Sequence, residues 1–169
     1  MNGSTDRIEK QVLLKASRER VWRAISDAGQ FGTWFGIEFA GDFVPGEILK
    51  GTIVPTKVDA EVARMQEAFA GTEFVIRVER IEPMRHLSFR WNPYVVEPGR
   101  DPMQEPMTLV TFELEEAPGG ILLTITESGF DAVPLDKRAQ VFADNEEGWA
   151  IQCRLIERYL TGEHVAPEG

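Results

Sequence analysis

The feature that most constrains this chain is a change of hydrophobic period towards its carboxyl end. Between residues 37 and 128 most apolar side chains alternate with polar ones, a pattern typical of β-strands buried on one face. From about residue 134 to 160 apolar residues instead recur at spacings of four and three, which predicts one long amphipathic helix. A run of strands followed by such a helix favours an α+β fold, in which the helix covers one side of an antiparallel sheet.

Turn residues divide the rest of the chain into short elements. Ser17 is a favourable N-cap for a helix over 18–28, and three glycines among three aromatic residues at 28–36 predict a second helical turn ending in a tight corner. The spacing of apolar residues over 56–70 predicts a further small helix between strands. The segments that we predict to be strands are 7–15, 37–41, 47–54, 73–81, 86–91, 107–116 and 120–128.

Composition excludes several classes of partner. The chain has 169 residues, which favours one domain, and a net charge of −10 without a basic cluster, so nucleic acid and anionic membranes are poor partners. Cys153 is the single cysteine, which excludes an internal disulfide and a four-cysteine zinc site. Two histidines, His86 and His164, are too few and too distant for a metal site or a catalytic triad. We expect no cofactor, no metal, no transmembrane span and a cytoplasmic location.

Several segments together resemble the START-like helix-grip (SRPBCC) superfamily, and within it the homologues of the activator of heat-shock protein 90 ATPase. The segments that carry this resemblance are ASRERVWRAIS at 16–26, Trp34, LSFRW ending at Trp91, VTFELEE at 110–116, TITESGF at 124–130 and NEEGWAIQCRLIERYL at 145–160. The resemblance covers about residues 7–161. It implies a curved antiparallel sheet wrapped around the long C-terminal helix, two short helices after the first strand, and a hydrophobic cavity between sheet and helix.

Two segments depart from the family pattern. The helical insertion at 56–70 and the Pro-rich loop at 92–106 are longer than usual, and both are expected near the openings of the cavity. The whole chain, 1–169, is interpreted as one START-like domain with an ordered core over about 7–161 and a frayed tail at 162–169. The eukaryotic activator has a separate N-terminal domain for its chaperone contact, for which a first strand near Arg7 leaves no room.

The candidate site residues are those that the predicted elements direct towards the cavity. Glu146 falls on the apolar stripe of the last helix, where it is either a polar anchor or acid inside the cavity or a solvent-reaching residue of a tilted helix. Glu127 follows Leu123 and Ile125 on one face of the last strand, so it either enters the cavity near its mouth or is solvated. The aromatic candidates, which are core residues first, are Trp34, Phe35, Phe43, Trp91, Phe112 and Trp149.

Three functions are consistent with these residues. The leading hypothesis is a non-catalytic module that binds a small hydrophobic or amphipathic molecule in the cavity. The second is an enzyme of the polyketide-cyclase or hydratase type, which would use Glu127 or Glu146 as an acid–base group. The third is a stress-related protein that contacts a chaperone through its acidic surface. The identity of the ligand and the oligomeric state stay open.

Overall fold

The structure is a computed structural model that describes residues 7–162. Its strands form one antiparallel sheet of seven strands in the order β1-β7-β6-β5-β4-β3-β2. The strands are β1 (Arg7–Leu14), β2 (Ile37–Phe39), β3 (Ile48–Ile53), β4 (Glu73–Glu82), β5 (His86–Trp91), β6 (Thr108–Ala117) and β7 (Gly120–Ser128). His164 and the predicted frayed tail beyond residue 162 lie outside the described residues.

Four α-helices accompany the sheet: α1 (Arg18–Ser26), α2 (Ala28–Phe35), α3 (Ala60–Glu67) and α4 (Leu135–Thr161). The predicted cap of α1 is confirmed, because the Ser17 hydroxyl accepts the backbone N–H of Arg20 at 3.2 Å. α2 ends at Gly36, whose φ of 102° is the left-handed conformation that a glycine adopts easily. Single 3₁₀ turns stand at Pro102–Gln104 and Phe130–Ala132.

The first and last strands in the chain are neighbours at one edge of the sheet. β1 pairs with β7 along its whole length, with Ile8 opposite Glu127 and Leu14 opposite Ile121. The chain then crosses through α1 and α2 to reach β2 at the other edge. α4 packs against β1, α1 and α2, so that the sheet wraps around it. The predicted α+β helix-grip architecture is confirmed.

Aromatic rings fill the interior between α2, α4 and the middle of the sheet. Phe31 on α2 lies 4.9 Å from Trp34 and 5.6 Å from Phe112, measured between ring centroids. Phe112 in turn lies 5.9 Å from Trp149 on α4. The Trp34 indole N–H donates to the carbonyl oxygen of Ala24 at 2.9 Å, which satisfies its one buried polar group. The centre of the fold is therefore a packed core.

The predicted stripe of the last helix is correct in its C-terminal half and wrong in its N-terminal half. Trp149, Cys153, Ile156 and Leu160 are buried, but Leu135 is 78% exposed. Glu146 is also exposed. On a straight α-helix, two residues that are seven positions apart differ by about 20° in their direction around the helix axis. Over the two heptads from Leu160 through Cys153 to Glu146 the difference adds up to about 40°, so Glu146 points away from the sheet. Asn145 takes the inward position instead.

Gly148 lies in the middle of α4, where a glycine weakens the helix unless close packing or space for a ligand requires it. A Cβ built on Gly148 meets no atom within 4 Å. A Cβ on Gly32 in α2 would instead lie 2.0 Å from the backbone carbonyl oxygen of Ile37. Of these two glycines, Gly32 is the one that a close approach of two backbones requires.

We therefore expect Gly148→Ala to stabilise the protein and Gly32→Ala to destabilise it. Alanine reduces the conformational entropy of the unfolded chain and favours a helix, which is worth about 0.5–1 kcal/mol where nothing opposes the methyl group. Urea denaturation of both variants measures the change in the free energy of unfolding. A destabilised Gly148→Ala would show that this part of α4 is covered by something absent from the structure.

The Cys153 thiol is buried on the inward face of α4. Burial raises the pKa of this thiol to about 11. The negative charge of Glu157 also raises the pKa, and the positive charge of Lys10 lowers it. The thiolate is the reactive form of cysteine, so a raised pKa together with burial makes the native thiol unreactive. Cys153 is the core residue that the helix pattern predicts.

We expect Cys153 to react with a thiol reagent at neutral pH only when the protein unfolds. Its rate of modification in native buffer should be at least about tenfold below the rate in denaturant, because both access and thiolate fraction are reduced in the folded state. Absorbance of the released thiol reporter measures the rate. Equal rates would place Cys153 at the surface.

Candidate functional site

Glu127 of β7 carries a fully buried side chain, 0% exposed, on which several donors converge. Its Oε2 accepts the Trp91 indole N–H at 2.9 Å and the Thr108 hydroxyl at 2.5 Å. Its Oε1 accepts the Trp149 indole N–H at 2.8 Å. The Asn145 amide Nδ2 lies 3.2 Å from Oε1 and 3.3 Å from Oε2. We call these five residues the Glu127 cluster.

The cluster joins four elements at one end of the sheet. Trp91 ends β5, Thr108 begins β6, Glu127 lies near the end of β7, and Asn145 and Trp149 are one helical turn apart on α4. Every partner offers an N–H or O–H group, and a carboxylate offers only acceptors, so the donors and acceptors match without a counter-charge. Within residues 7–162 no Lys, Arg or His forms an ion pair with Glu127.

An apolar cleft of about 260 Å³ opens to solvent at the same end of the sheet. Trp91 and Asn145 of the Glu127 cluster form part of its wall. Its apolar lining includes the side chains of Phe35, Phe69, Phe74, Trp91, Tyr94 and Val95. We call this cleft the mouth cleft.

The predicted helical insertion supplies one wall of the mouth cleft. Gln66 of α3 holds this wall in place, since its Oε1 accepts the backbone N–H of Thr56 at 2.7 Å and its Nε2 donates to the Phe35 carbonyl at 3.0 Å. The N-cap of α3, Asp59, forms an ion pair with Arg158 of α4. Asp59 has a pKa below its usual value, chiefly because its carboxylate accepts the backbone N–H of Val62, and also because Arg158 is near.

The Pro-rich loop supplies another wall of the mouth cleft. The amide Nδ2 of Asn92 donates to the carbonyl oxygens of Pro102 and Pro106, at 3.0 Å each, and so closes the loop on itself. Lys137 of α4 places its ammonium group 4.3 Å from the centre of the Tyr94 ring, a cation–π contact. These contacts hold Tyr94 at the edge of the cleft.

The predicted site residues differ in where they lie relative to the mouth cleft. Phe35 and Trp91 line the mouth cleft. The others of the aromatic set lie in the packed core and not in the cleft wall: Trp34, Phe43, Phe112 and Trp149. Glu127 is inward-facing but lies beneath the cleft wall.

The expectation that Glu146 enters the cavity is wrong. Its side chain is 51% exposed, and its Oε2 lies 3.6 Å from the ammonium group of Lys10 on β1. This surface pair explains two apparent exceptions in the sequence, a lysine on the apolar face of the first strand and a glutamate on the apolar stripe of the last helix. An exposed ion pair of this kind contributes little to stability.

Sequence reasoning missed Phe69, Tyr94, Val95 and Asn145 as residues of the cleft. Phe69 ends the apolar period of the insertion, and Tyr94 and Val95 are apolar residues inside a Pro-rich loop. Phe69 is 52% exposed and Val95 is 58% exposed. The signal that could have identified them is the presence of large apolar side chains in both unusually long connections. Ordinary exposed loops seldom carry such side chains together.

Among the residues that the structure describes, no helix has both the length and the hydropathy needed to cross a bilayer. Over the same residues, no group of three or more His, Cys, Asp or Glu side chains is arranged to hold a metal ion.

We expect Glu127→Gln to lower the free energy of unfolding by about 2 kcal/mol or more. The substitution replaces one acceptor oxygen with an N–H₂ group, so at least one buried donor of the Glu127 cluster loses its partner, at a cost of about 1–3 kcal/mol per group. Glu146→Gln is the matched control, since a substitution in an exposed pair changes stability by about 0.5 kcal/mol at most. Urea denaturation measures both. Equal stabilities of the two variants would contradict a structural role for the cluster.

Comparison with protein-family models gives a match over residues 15–161 to the model of the Activator of Hsp90 ATPase homolog 1-like protein. A comparison with curated proteins finds no match.

Solved structures share the fold at low sequence identity. A protein of Mesorhizobium loti is 20% identical, covering 94% of this chain and 99% of that one, with a TM-score of 0.67. The Aha1 dimer from Colwellia psychrerythraea is 15% identical, covering 96% and 98%, with a TM-score of 0.63. DynU16, from the dynemicin biosynthetic locus, is 22% identical over 94% of this chain, with a TM-score of 0.65. The chain spans about half of DynU16, 48% of its length.

Proposed function

Because the chain belongs to the activator of Hsp90 ATPase homolog 1-like family, within the START-like helix-grip superfamily, we propose that it binds a small hydrophobic molecule in the mouth cleft. The binding site lies at the open end of the sheet, since the space between sheet and helix is filled by the aromatic core. The insertion and the Pro-rich loop, which are this chain's departures from the family pattern, form its two walls.

The observation that carries the proposal is the exposure of apolar side chains on both walls. Phe69 on one wall and Val95 on the other are each more than half exposed, at 52% and 58%, although they lie in the same cleft. Covering such side chains with an apolar ligand is favourable by about 25 cal/mol per Å² of surface removed from water. The volume of about 260 Å³ exceeds the ~150 Å³ of an apolar cavity that accepts benzene, so an aromatic ligand larger than benzene fits.

The carboxylates that an enzyme of the cyclase or hydratase type would use are poorly placed for acid–base chemistry. Both oxygens of Glu127 are occupied by the donors of the Glu127 cluster, and the side chain has no exposed surface. Glu146 lies on the outer surface beside Lys10. A general acid or base has to reach the proton that it transfers, directly or through one water. These positions favour binding over catalysis, and the chaperone contact stays a prediction that rests on the family alone.

We expect Phe69→Ser to weaken binding of N-phenylnaphthylamine, an uncharged fluorescent ligand, by about fivefold or more. This factor corresponds to about 1 kcal/mol, part of the value of burying a phenylalanine side chain. Met65→Ser is the matched control, because Met65 of α3, four residues before Phe69, is 55% exposed but does not line the cleft. Fluorescence titration measures the dissociation constants, and urea denaturation shows that both variants are folded.

Equal effects of the two substitutions would move the binding surface away from the mouth cleft. Absence of any binding by the unmodified protein would refute the proposed function.

A further inference from the structure

Two asparagines of the mouth cleft have side-chain amides whose orientation is fixed by their partners. Asn145 faces the carboxylate of Glu127, which accepts hydrogen bonds only, so the group directed at it is the N–H₂. Asn92 faces the backbone carbonyls of Pro102 and Pro106, which also only accept. In both side chains the carbonyl oxygen Oδ1 is therefore the atom left over.

Neither Oδ1 atom has a hydrogen-bond partner among residues 7–162, although both asparagines line the cleft. Gln66, the third amide of the cleft wall, differs because its Oε1 and Nε2 are both used in holding α3. Two asparagines of this mainly apolar wall thus each keep one spare acceptor atom. A ligand group that satisfies such an acceptor has to be a donor, an O–H or N–H.

The charges around the cleft restrict the ligand further. Glu73 is the one charged residue among those that line it within the described chain, and its exposed carboxylate lies 3.7 Å from the ammonium group of Lys50. Lys137 contacts the ring of Tyr94 but belongs to the neighbouring surface and not to the cleft wall. An anionic ligand would lose hydration without gaining a cationic partner, and the net charge of −10 repels it as well.

From these observations, and resting on the proposed function, we infer that the ligand is an uncharged aromatic molecule that carries O–H or N–H donors directed at Asn92 and Asn145. The aromatic rings of the cleft wall accept a flat apolar body, and the two Oδ1 atoms set its orientation. Fatty acids and other carboxylates of similar size are disfavoured. Asn145 is a specificity-determining residue, and Glu127 is a positioning residue that fixes the direction of its amide.

Three naphthalene derivatives test this inference on the unmodified protein, because they share one ring system and differ in a single substituent. At neutral pH 2-naphthol carries a donor, naphthalene carries none, and 2-naphthoate carries a negative charge. Displacement of N-phenylnaphthylamine measures the affinity of each. We expect 2-naphthol to bind about three- to tenfold more tightly than naphthalene, the value of one hydrogen bond. We expect 2-naphthoate to bind at least about tenfold more weakly than 2-naphthol.

Asn145→Leu adds a test of the residue itself. Leucine keeps the approximate size of the side chain but removes its acceptor, so the preference for 2-naphthol over naphthalene should fall, while the affinity for naphthalene is kept within about threefold. An unchanged preference in this variant would overturn the role of Asn145.

The ligand series separates failure of the inference from failure of the proposed function. If either 2-naphthoate or naphthalene binds as tightly as 2-naphthol, the inference is wrong and the hydrophobic binding function stands. If N-phenylnaphthylamine binds but none of the three derivatives displaces it, the inference is also wrong. If the fluorescent ligand itself does not bind, the proposed function fails and the inference fails with it.

Discussion

The buried carboxyl group of Glu127 is the interaction on which the open end of the sheet depends. It accepts hydrogen bonds from the ends of two neighbouring strands and from two positions on α4, so one side chain sets where the helix lies across the sheet. A buried carboxylate is costly unless donors surround it, and here indole, hydroxyl and amide groups take the place of a counter-ion. The same bonds orient Trp91 and Asn145, whose other surfaces face the mouth cleft.

The aromatic core and the mouth cleft are two consequences of one packing arrangement. Rings from α2, the middle strands and α4 pack with centroids about 5–6 Å apart, which leaves the interior filled. A ligand site is therefore restricted to the rim, where the insertion and the Pro-rich loop extend beyond the sheet. The insertion is anchored to α4 by the Asp59–Arg158 ion pair, and the Pro-rich loop is closed on itself by the Asn92 hydrogen bonds.

Much of the fold could be predicted from the sequence because strands and helices leave different periods. The alternation of Leu87, Phe89 and Trp91 indicates a strand with one buried face, and Ser17 marks the start of α1. The site could be predicted only in part. Phe35 and Trp91 are among the aromatic candidates, whereas Phe69 and Val95 are not, because local pattern does not show that residues 26 positions apart in two loops line one cleft.

The sequence by itself determined the order of the elements, the α+β class and the burial of the aromatic residues of the core, since each follows from local period and side-chain chemistry. Only the tertiary structure decided which of two glutamates is inside. Glu127 and Glu146 both stand in a pattern of apolar residues. Along β7 every second side chain stays on the same face of the sheet, so Glu127 points inward like Leu123 and Ile125. On a long helix the direction of every seventh side chain changes by about 20° per heptad. That drift brings Asn145 to face Glu127 and turns Glu146 towards Lys10 and solvent.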